Sequence, residues 1–245
     1  MAIYLTIDIG NSSAKAALWR DGELAAPAIR GDLTAADIEH LCAQEAERPA
    51  CAAVCSVADD ARGLAMTAAQ LARRTICLDS RTPSPVDLSA YATGATLGAD
   101  RIAAMAGAVS LFPGEELLVV DCGTAATYDR VDAQGRFLGG NIAPGIGMRL
   151  RALHSCTSRL PLAPTPSDPT PLWGRSTAEA LQSGAWHGLC AEIEYYYRRS
   201  APCRLALTGG RARQLADFLA IPNTYADPDL VLRGLKHIIE YNENK

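Results

Sequence analysis

Two aspartates, Asp8 and Asp121, each end an apolar run. Each is followed two residues later by glycine (Gly10, Gly123) and then by small hydroxyl or amide side chains: Asn11, Ser12 and Ser13 in the first copy, Thr124 and Thr127 in the second. A glycine lets the backbone come close to a ligand, neighbouring N–H groups can cradle phosphate oxygens, and a carboxylate can hold a hydrated cation beside them. One such turn is ordinary, because Asp, Asn and Gly populate hairpin turns for backbone reasons. Two in matching context are not. IYLTIDIGNSSAKAALW runs into RDGEL and LLVVDCGTAATYDRV into DAQGRFLGG, with the aspartates 121 − 8 = 113 residues apart. This reads as an internal duplication, and two such turns facing each other would clamp a nucleotide polyphosphate.

The elements that must position these turns follow from hydrophobic spacing. Strands are expected at about residues 3–8, 14–19 and 23–29, followed by helix, strand, helix and strand. Thr34 with Asp37 forms a capping-box pattern ahead of Ile38, Leu41 and Cys42. ACAAVCSV (50–57) and TICLD (75–79) read as strands, with a helix over 59–74 between them. GADRIAAMAGAVSLF reads as a helix stopped by Pro113-Gly114, and three strands restart across about 116–140. The Pro-rich stretch 161–174 predicts a long surface loop. A long helix opened by Ser176 or Thr177 comes next, then RLALTGG as strand and turn, and a further helix. The chain closes on a helix whose apolar residues Leu230, Leu235, Ile238 and Ile239 keep the 3.6-residue spacing. The expected architecture is α/β with mixed sheets, in two halves, 1–115 and 116–245.

Composition narrows the function class. Net charge is −4, and no Lys/Arg block appears, which argues against nucleic acid as the main ligand. A single bound nucleotide remains compatible, since local amides and metal handle its charge. The N-terminus lacks a basic region ahead of its apolar run and reads as a first strand. No stretch approaches the roughly 18 apolar residues of a membrane span, so a cytoplasmic protein without a membrane partner is expected. Eight cysteines without a CxxC motif (Cys42, Cys51, Cys55, Cys77, Cys122, Cys156, Cys190, Cys203) read as small buried hydrophobes rather than a zinc site. His40, His154, His187 and His237 show no ligand spacing.

Taken in order along nearly the whole chain, these motifs resemble the type III pantothenate kinases of bacteria, in the superfamily of acetate and sugar kinases, heat-shock chaperones and actin. DIGNSSAK (8–15) resembles that family's first phosphate motif, LGADR (97–101) its substrate and catalytic motif, and VDCGTAATYD (120–129) its second phosphate motif. GGNIAPGI (139–146) is similar to its Gly-rich turn before a helix, GRSTAEALQSG (174–184) to its helix-opening substrate segment, and LTGG (207–210) to its adenosine motif. Three positions depart from the family pattern. Ser12 stands where Thr is usual, Thr93-Gly94 where Asn-Pro is usual, and Arg211 where an acidic residue usually follows TGG.

The resemblance implies duplicated ribonuclease H-like (actin-like ATPase) domains, each a mixed five-stranded sheet with flanking helices. It implies ATP-dependent phosphorylation of pantothenate to 4'-phosphopantothenate, the first step of coenzyme A biosynthesis. Asp100 would be the catalytic base, with substrate contacts from Tyr91, Gly98, Ala99, Asp100, Arg101 and Thr177. ATP would be bound by Asp8, Ile9, Gly10, Asn11, Ser12, Ser13, Ala14, Lys15, Thr124, Gly209 and Gly210. Asp8 would hold Mg2+ through water, and Asp121 a monovalent cation, K+ or NH4+. A homodimer is implied, and the helix from Thr177 through Tyr195, Tyr196 and Tyr197 is the expected contact surface.

Each role has an ordinary alternative. Asp100 could merely N-cap the helix beginning near Arg101, and Thr177 could be a cap as well. Arg101 could form a structural ion pair, and Lys15 could be a solvated strand residue. Two other functions share the phosphate motifs: another small-molecule kinase or polyphosphate phosphatase of the superfamily, and a nucleotide-binding regulator without turnover.

Overall fold

The computed structural model describes residues 2–57 and 62–244. They fall into two compact units, 1–114 with 131–138 and 229–245, and 115–130 with 139–228.

In the first unit, β1 (Ile3–Ile9) is buried along its whole length at the middle of a six-stranded sheet. It pairs antiparallel with β2 (Ala14–Arg20) and parallel with β5 (Cys51–Ser56), which pairs parallel with β6 (Arg74–Cys77). A strand buried on both faces needs a near-continuous apolar run, and IYLTIDI supplies one. The two-residue period sends Ile3, Leu5, Ile7 and Ile9 into a core with Ile38 and Leu41 of α1 (Ala35–Cys42) and Ala68 of α2 (Arg62–Leu71). Asp8 therefore emerges on the other face, with Thr6, whose hydroxyl accepts from Trp19 Nε1 at 2.8 Å.

The expected capping box forms: the Thr34 hydroxyl accepts from the Asp37 N–H while the Asp37 carboxylate accepts from the Thr34 N–H at 2.8 Å. The single strand expected over 23–29 is instead two, β3 (Glu23–Leu24) and β4 (Ile29–Gly31), both paired with β2. Pro27 has no N–H for the ladder and breaks the run. The sheet thus has six strands rather than five. Of the helix expected over 59–74, residues 59–61 lie outside the described residues, and it ends at Leu71.

The remaining helices of this unit are α3 (Ala99–Leu111) and α7 (Leu230–Glu243). They touch backbone to backbone. A Cβ on Gly234 would lie 1.7 Å from the Ala103 carbonyl oxygen, and one on Gly107 would lie 2.4 Å from that of Leu230. Because α7 packs here, the units are not the contiguous stretches 1–115 and 116–245: the closing helix joins the first unit, as does the 131–138 turn.

The second unit carries a five-stranded sheet of β7 (Leu117–Cys122), β8 (Ala125–Val131), β9 (Phe137–Pro144), β10 (Arg204–Thr208) and β11 (Thr224–Ala226). Its order, β11-β10-β7-β8-β9, repeats β6-β5-β1-β2-β3 of the first. Leu118, Val120, Leu205 and Leu207 pack with Ile146 and Leu150 of α4 (Ile146–Ser155), Trp186 and Leu189 of α5 (Thr177–Ser200), and Leu215 of α6 (Ala212–Leu219). The segment 139–146, expected as a turn, mostly continues β9, and only Gly145 turns into α4. Residues 161–174 form the expected loop. Side chains of α5 and α6 hold it: Gln182 donates to the Pro164 carbonyl at 2.8 Å and Gln214 to that of Ser167 at 2.6 Å. Cys77 and Cys156 are exposed, against the expectation that all eight cysteines are buried; each lies at the end of its element.

Candidate active site

In the first unit the β1–β2 hairpin bends at Gly10 to Ser13, closed by the Gly10 N–H donating to the Ser13 carbonyl at 3.1 Å. A Cβ on Gly10 would stand 3.2 Å from that oxygen, so the tight bend favours glycine. Asn11, Ser12 and Ser13 are exposed at its tip, between buried Ile9 and Ala14. The bend opens onto a cavity of about 810 Å3, walled also by Asp32 to Ala35 and by α2.

Asp8 is only 9 % exposed. Its strand neighbours in register are Lys15 on β2 and Cys55 on β5. The Cys55 thiol donates to Asp8 Oδ1 at 3.3 Å. Burial raises the Asp8 carboxyl above its ordinary range, the Lys15 charge and the thiol bond oppose this, and the nearby Asp100 charge adds to it. A desolvated carboxylate beside a second carboxylate is a poor place for an uncompensated charge and a good one for a cation. The Lys15 charge, carried by its register partner on β2, thus acts on this carboxylate.

Asp100 lies in the first turn of α3, but the cap is Gly98, which has no side chain to offer. The Asp100 carboxylate folds back to accept from the Arg101 N–H at 2.8 Å, so it satisfies one first-turn amide although the cap position is Gly98. A Cβ on Gly98 would lie 2.4 Å from Asp100 Oδ1, so a side chain there would push that carboxylate from its place. Buried Ala99 seats the turn. Arg101 is 6 % exposed, with its guanidinium 5.8 Å from the centroid of Phe137. Tyr91 also packs on that ring, centroid to centroid 5.0 Å. Phe137 is held by its N–H, which donates to the Asp87 carbonyl at 2.9 Å. The fold thus groups Tyr91, Arg101 and Phe137, and brings Asp100 into electrostatic range of Asp8.

In the second unit, Asp121 is the penultimate residue of β7, ahead of Gly123 and Thr124. Two glycines press on this turn. A Cβ on Gly145 would come within 2.3 Å of the Gly123 carbonyl oxygen, and one on Gly209 within 2.5 Å of Asp121 Oδ1. Gly209 also has a φ of 88°, the left-handed region that suits glycine. The Gly145 N–H donates to the Thr124 carbonyl at 3.1 Å. Gly210 is exposed beyond it, and Arg211 donates to Gln214 at 3.1 Å. Arg149 on α4 buttresses the same turn, donating to the Pro144 carbonyl at 2.8 Å and to Glu192 on α5 at 2.6 Å.

Thr177 is the first residue of α5 and is exposed; Ser176 is the cap, its hydroxyl accepting from the Glu179 N–H at 3.2 Å. Capping therefore leaves the Thr177 hydroxyl unused. Trp173 ahead of it is 81 % exposed.

The residues fit the implied cations. Asp8 offers a buried carboxylate for a divalent ion held through water, with the Asp100 charge nearby, and Asp121 one carboxylate in a glycine cradle. Among the described residues no group of three or more His, Cys, Asp or Glu forms a metal cage. No described helix is long and apolar enough to cross a membrane. Sequence reasoning missed Cys55 and Phe137, which as apolar strand residues carry no chemical signal.

Two sheets of the same strand order, each with an Asp-x-Gly turn at the end of its middle strand, define a duplicated actin-like ATPase and sugar kinase fold. Solved structures agree. A Campylobacter jejuni protein described as a Baf family transcriptional activator aligns over 98% of this chain and 100% of its own, with TM-score 0.62 and 24% identity. A Sinorhizobium meliloti protein described as a 2-dehydro-3-deoxygalactonokinase aligns over 97% and 98%, with TM-score 0.59 and 15% identity. These show the fold. The chain belongs to the type III pantothenate kinase family, whose profile matches residues 4–199. It is 38% identical to a type III pantothenate kinase of Porphyromonas gingivalis, over 99% of this chain and 100% of the relative.

Proposed function

We propose that this chain transfers the γ-phosphoryl group of ATP to the primary hydroxyl of pantothenate, the first step of coenzyme A biosynthesis. One observation beyond family membership supports the reading: Asp100 lies in the first turn of α3, whose cap is Gly98, within electrostatic range of a buried Asp8. Its Oδ1 accepts from the Arg101 N–H, and its second oxygen is the one that would take the proton.

The hydroxyl oxygen bonds to the γ-phosphorus as the bond to the ADP oxygen breaks. Asp100 orients that hydroxyl, accepts its proton late in a loose transition state and releases it to solvent. Arg101 and Tyr91, steadied by Phe137, hold the substrate, and the guanidinium fork suits its carboxylate. Thr177 offers a further hydroxyl. Amides and side chains of Gly10 to Ser13, with Lys15, receive phosphate oxygens, as does Thr124 of the second turn, while Gly209 and Gly210 leave room for adenosine. Asp8 would hold a divalent cation through water, which would supply neutralisation of phosphate charge, and Asp121 would hold a monovalent cation.

The enzyme works as a cytoplasmic homodimer. Its buried free thiols fit a reducing compartment. Exposed Leu172, Trp173 and Tyr195 supply apolar and aromatic surface of the kind enriched at subunit contacts. A coupled ADP-release assay tests the reaction: turnover must require pantothenate. ATP binding without turnover would instead favour a regulator. Light scattering tests assembly, and a fully active species of monomer mass, near 25.9 kDa, would sink the dimer.

A further inference from the structure

The duplicated strand order sets Cys55 and Thr208 in equivalent places. β5 lies parallel beside β1 and puts Cys55 in register with Asp8; β10 lies parallel beside β7 and puts Thr208 in register with Asp121. Residues paired in register on adjacent strands point to the same face of the sheet. In the first unit this pairing is used, since the thiol donates to the carboxylate. In the second it is not. Thr208 is 0 % exposed, and its Oγ1 is buried with no hydrogen-bond partner. Buried hydroxyls are nearly always partnered, so an orphan at a functional turn asks what satisfies it.

The carboxylate of Asp121 leans toward β10, because its Oδ1 approaches the position a Cβ on Gly209 would take. Thr208 thus stands beside a carboxylate with its oxygen unclaimed. We infer that Thr208 Oγ1 is a neutral oxygen ligand of the cation at Asp121. This rests on the proposed assignment of a monovalent cation to that residue. The chemistry explains why the two halves differ. A thiol is a soft, weak ligand for Mg2+ or K+, so Cys55 only orients Asp8 and leaves its cation to water. A hydroxyl is a hard oxygen donor without charge. Paired with one carboxylate it suits a weakly hydrated monovalent ion better than Mg2+, which dehydrates reluctantly.

The test measures the thermal unfolding midpoint of the full chain at rising KCl, with choline chloride holding ionic strength constant. A ligand that binds only the folded state raises the midpoint. The wild type should show a potassium-dependent rise that D121N abolishes. T208V keeps the β-branched shape and removes the oxygen; it should raise the potassium concentration for half-maximal stabilisation about tenfold or more. T208A should move the same way, so the result does not depend on one variant folding, and T208S should stay near wild type. If T208V or T208A keeps the wild-type potassium midpoint while D121N loses the response, the inference falls and the cation at Asp121 stands. If the wild type shows no potassium response, both fall, with pantothenate turnover still deciding the reaction itself.

Discussion

Cys55 Sγ lies 3.3 Å from Asp8 Oδ1, donated from the strand running parallel beside it, and both groups are buried. Burial and the adjacent carboxylate push the thiol well above its ordinary range, so it stays protonated and can only donate. The bond fixes the rotamer of a carboxylate that has few other ways to be oriented in a dry setting. Replacing Cys55 by Val should leave folding intact and raise the Mg2+ concentration needed for half-maximal ADP release about tenfold, while Ser restores it. An unchanged Mg2+ response in the Val variant would reduce the bond to packing.

Asp100→Asn should fold and bind ATP, because the amide oxygen can still accept from the Arg101 N–H. Turnover should fall by about 10²–10⁴, the usual cost of removing a general base. A loss under about tenfold would remove Asp100 from the proton path.

Asp8→Ala and Asp121→Ala should fail differently. The first should weaken use of magnesium-nucleotide, the second should change the response to potassium. Matching profiles across magnesium and potassium series would undercut the assignment of one cation to each turn.

Gly234→Ala tests the crossing of α3 and α7. The new methyl would lie 1.7 Å from the Ala103 carbonyl oxygen, so the helices must part. Overpacking of this kind costs about 1–3 kcal/mol. At about 2–4 °C per kcal/mol for a chain of this size, calorimetry should record a clear drop in Tm. A wild-type Tm would mean the two helices are not packed as described.

Much of this was legible beforehand, for reasons that differ by residue. Strand β1 and the turn at Gly10 follow from an unbroken apolar run and local turn chemistry, and the cap at Thr34 from its spacing to Asp37. Pro27 was equally visible, yet the apolar residues around it read as one strand, because a break in the ladder shows only when partners are known. The destination of α7 was not legible: its stripe at Leu230, Leu235 and Ile238 announces a buried face, but its partner is chosen by Gly107 and Gly234 fitting across a long sequence separation. Cys55 and Thr208 gain meaning only from register, which pairs them with aspartates 55 − 8 = 47 and 208 − 121 = 87 residues away. Phe137 needed the turn that returns its ring to Arg101.

The return of α7 to the first unit also governs how the chain would respond to a cut. A single proteolytic nick in the 161–174 loop yields an N-terminal piece holding α3 and β1 and a C-terminal piece holding α7 and β10. Neither piece contains a whole unit, since the first needs α7 and the second needs both β7 and β10. The pieces should therefore stay together on a native sizing column and separate only in denaturant. For the same reason, a gene truncated after Pro228 would not give a smaller working kinase, but a first unit missing part of its own core.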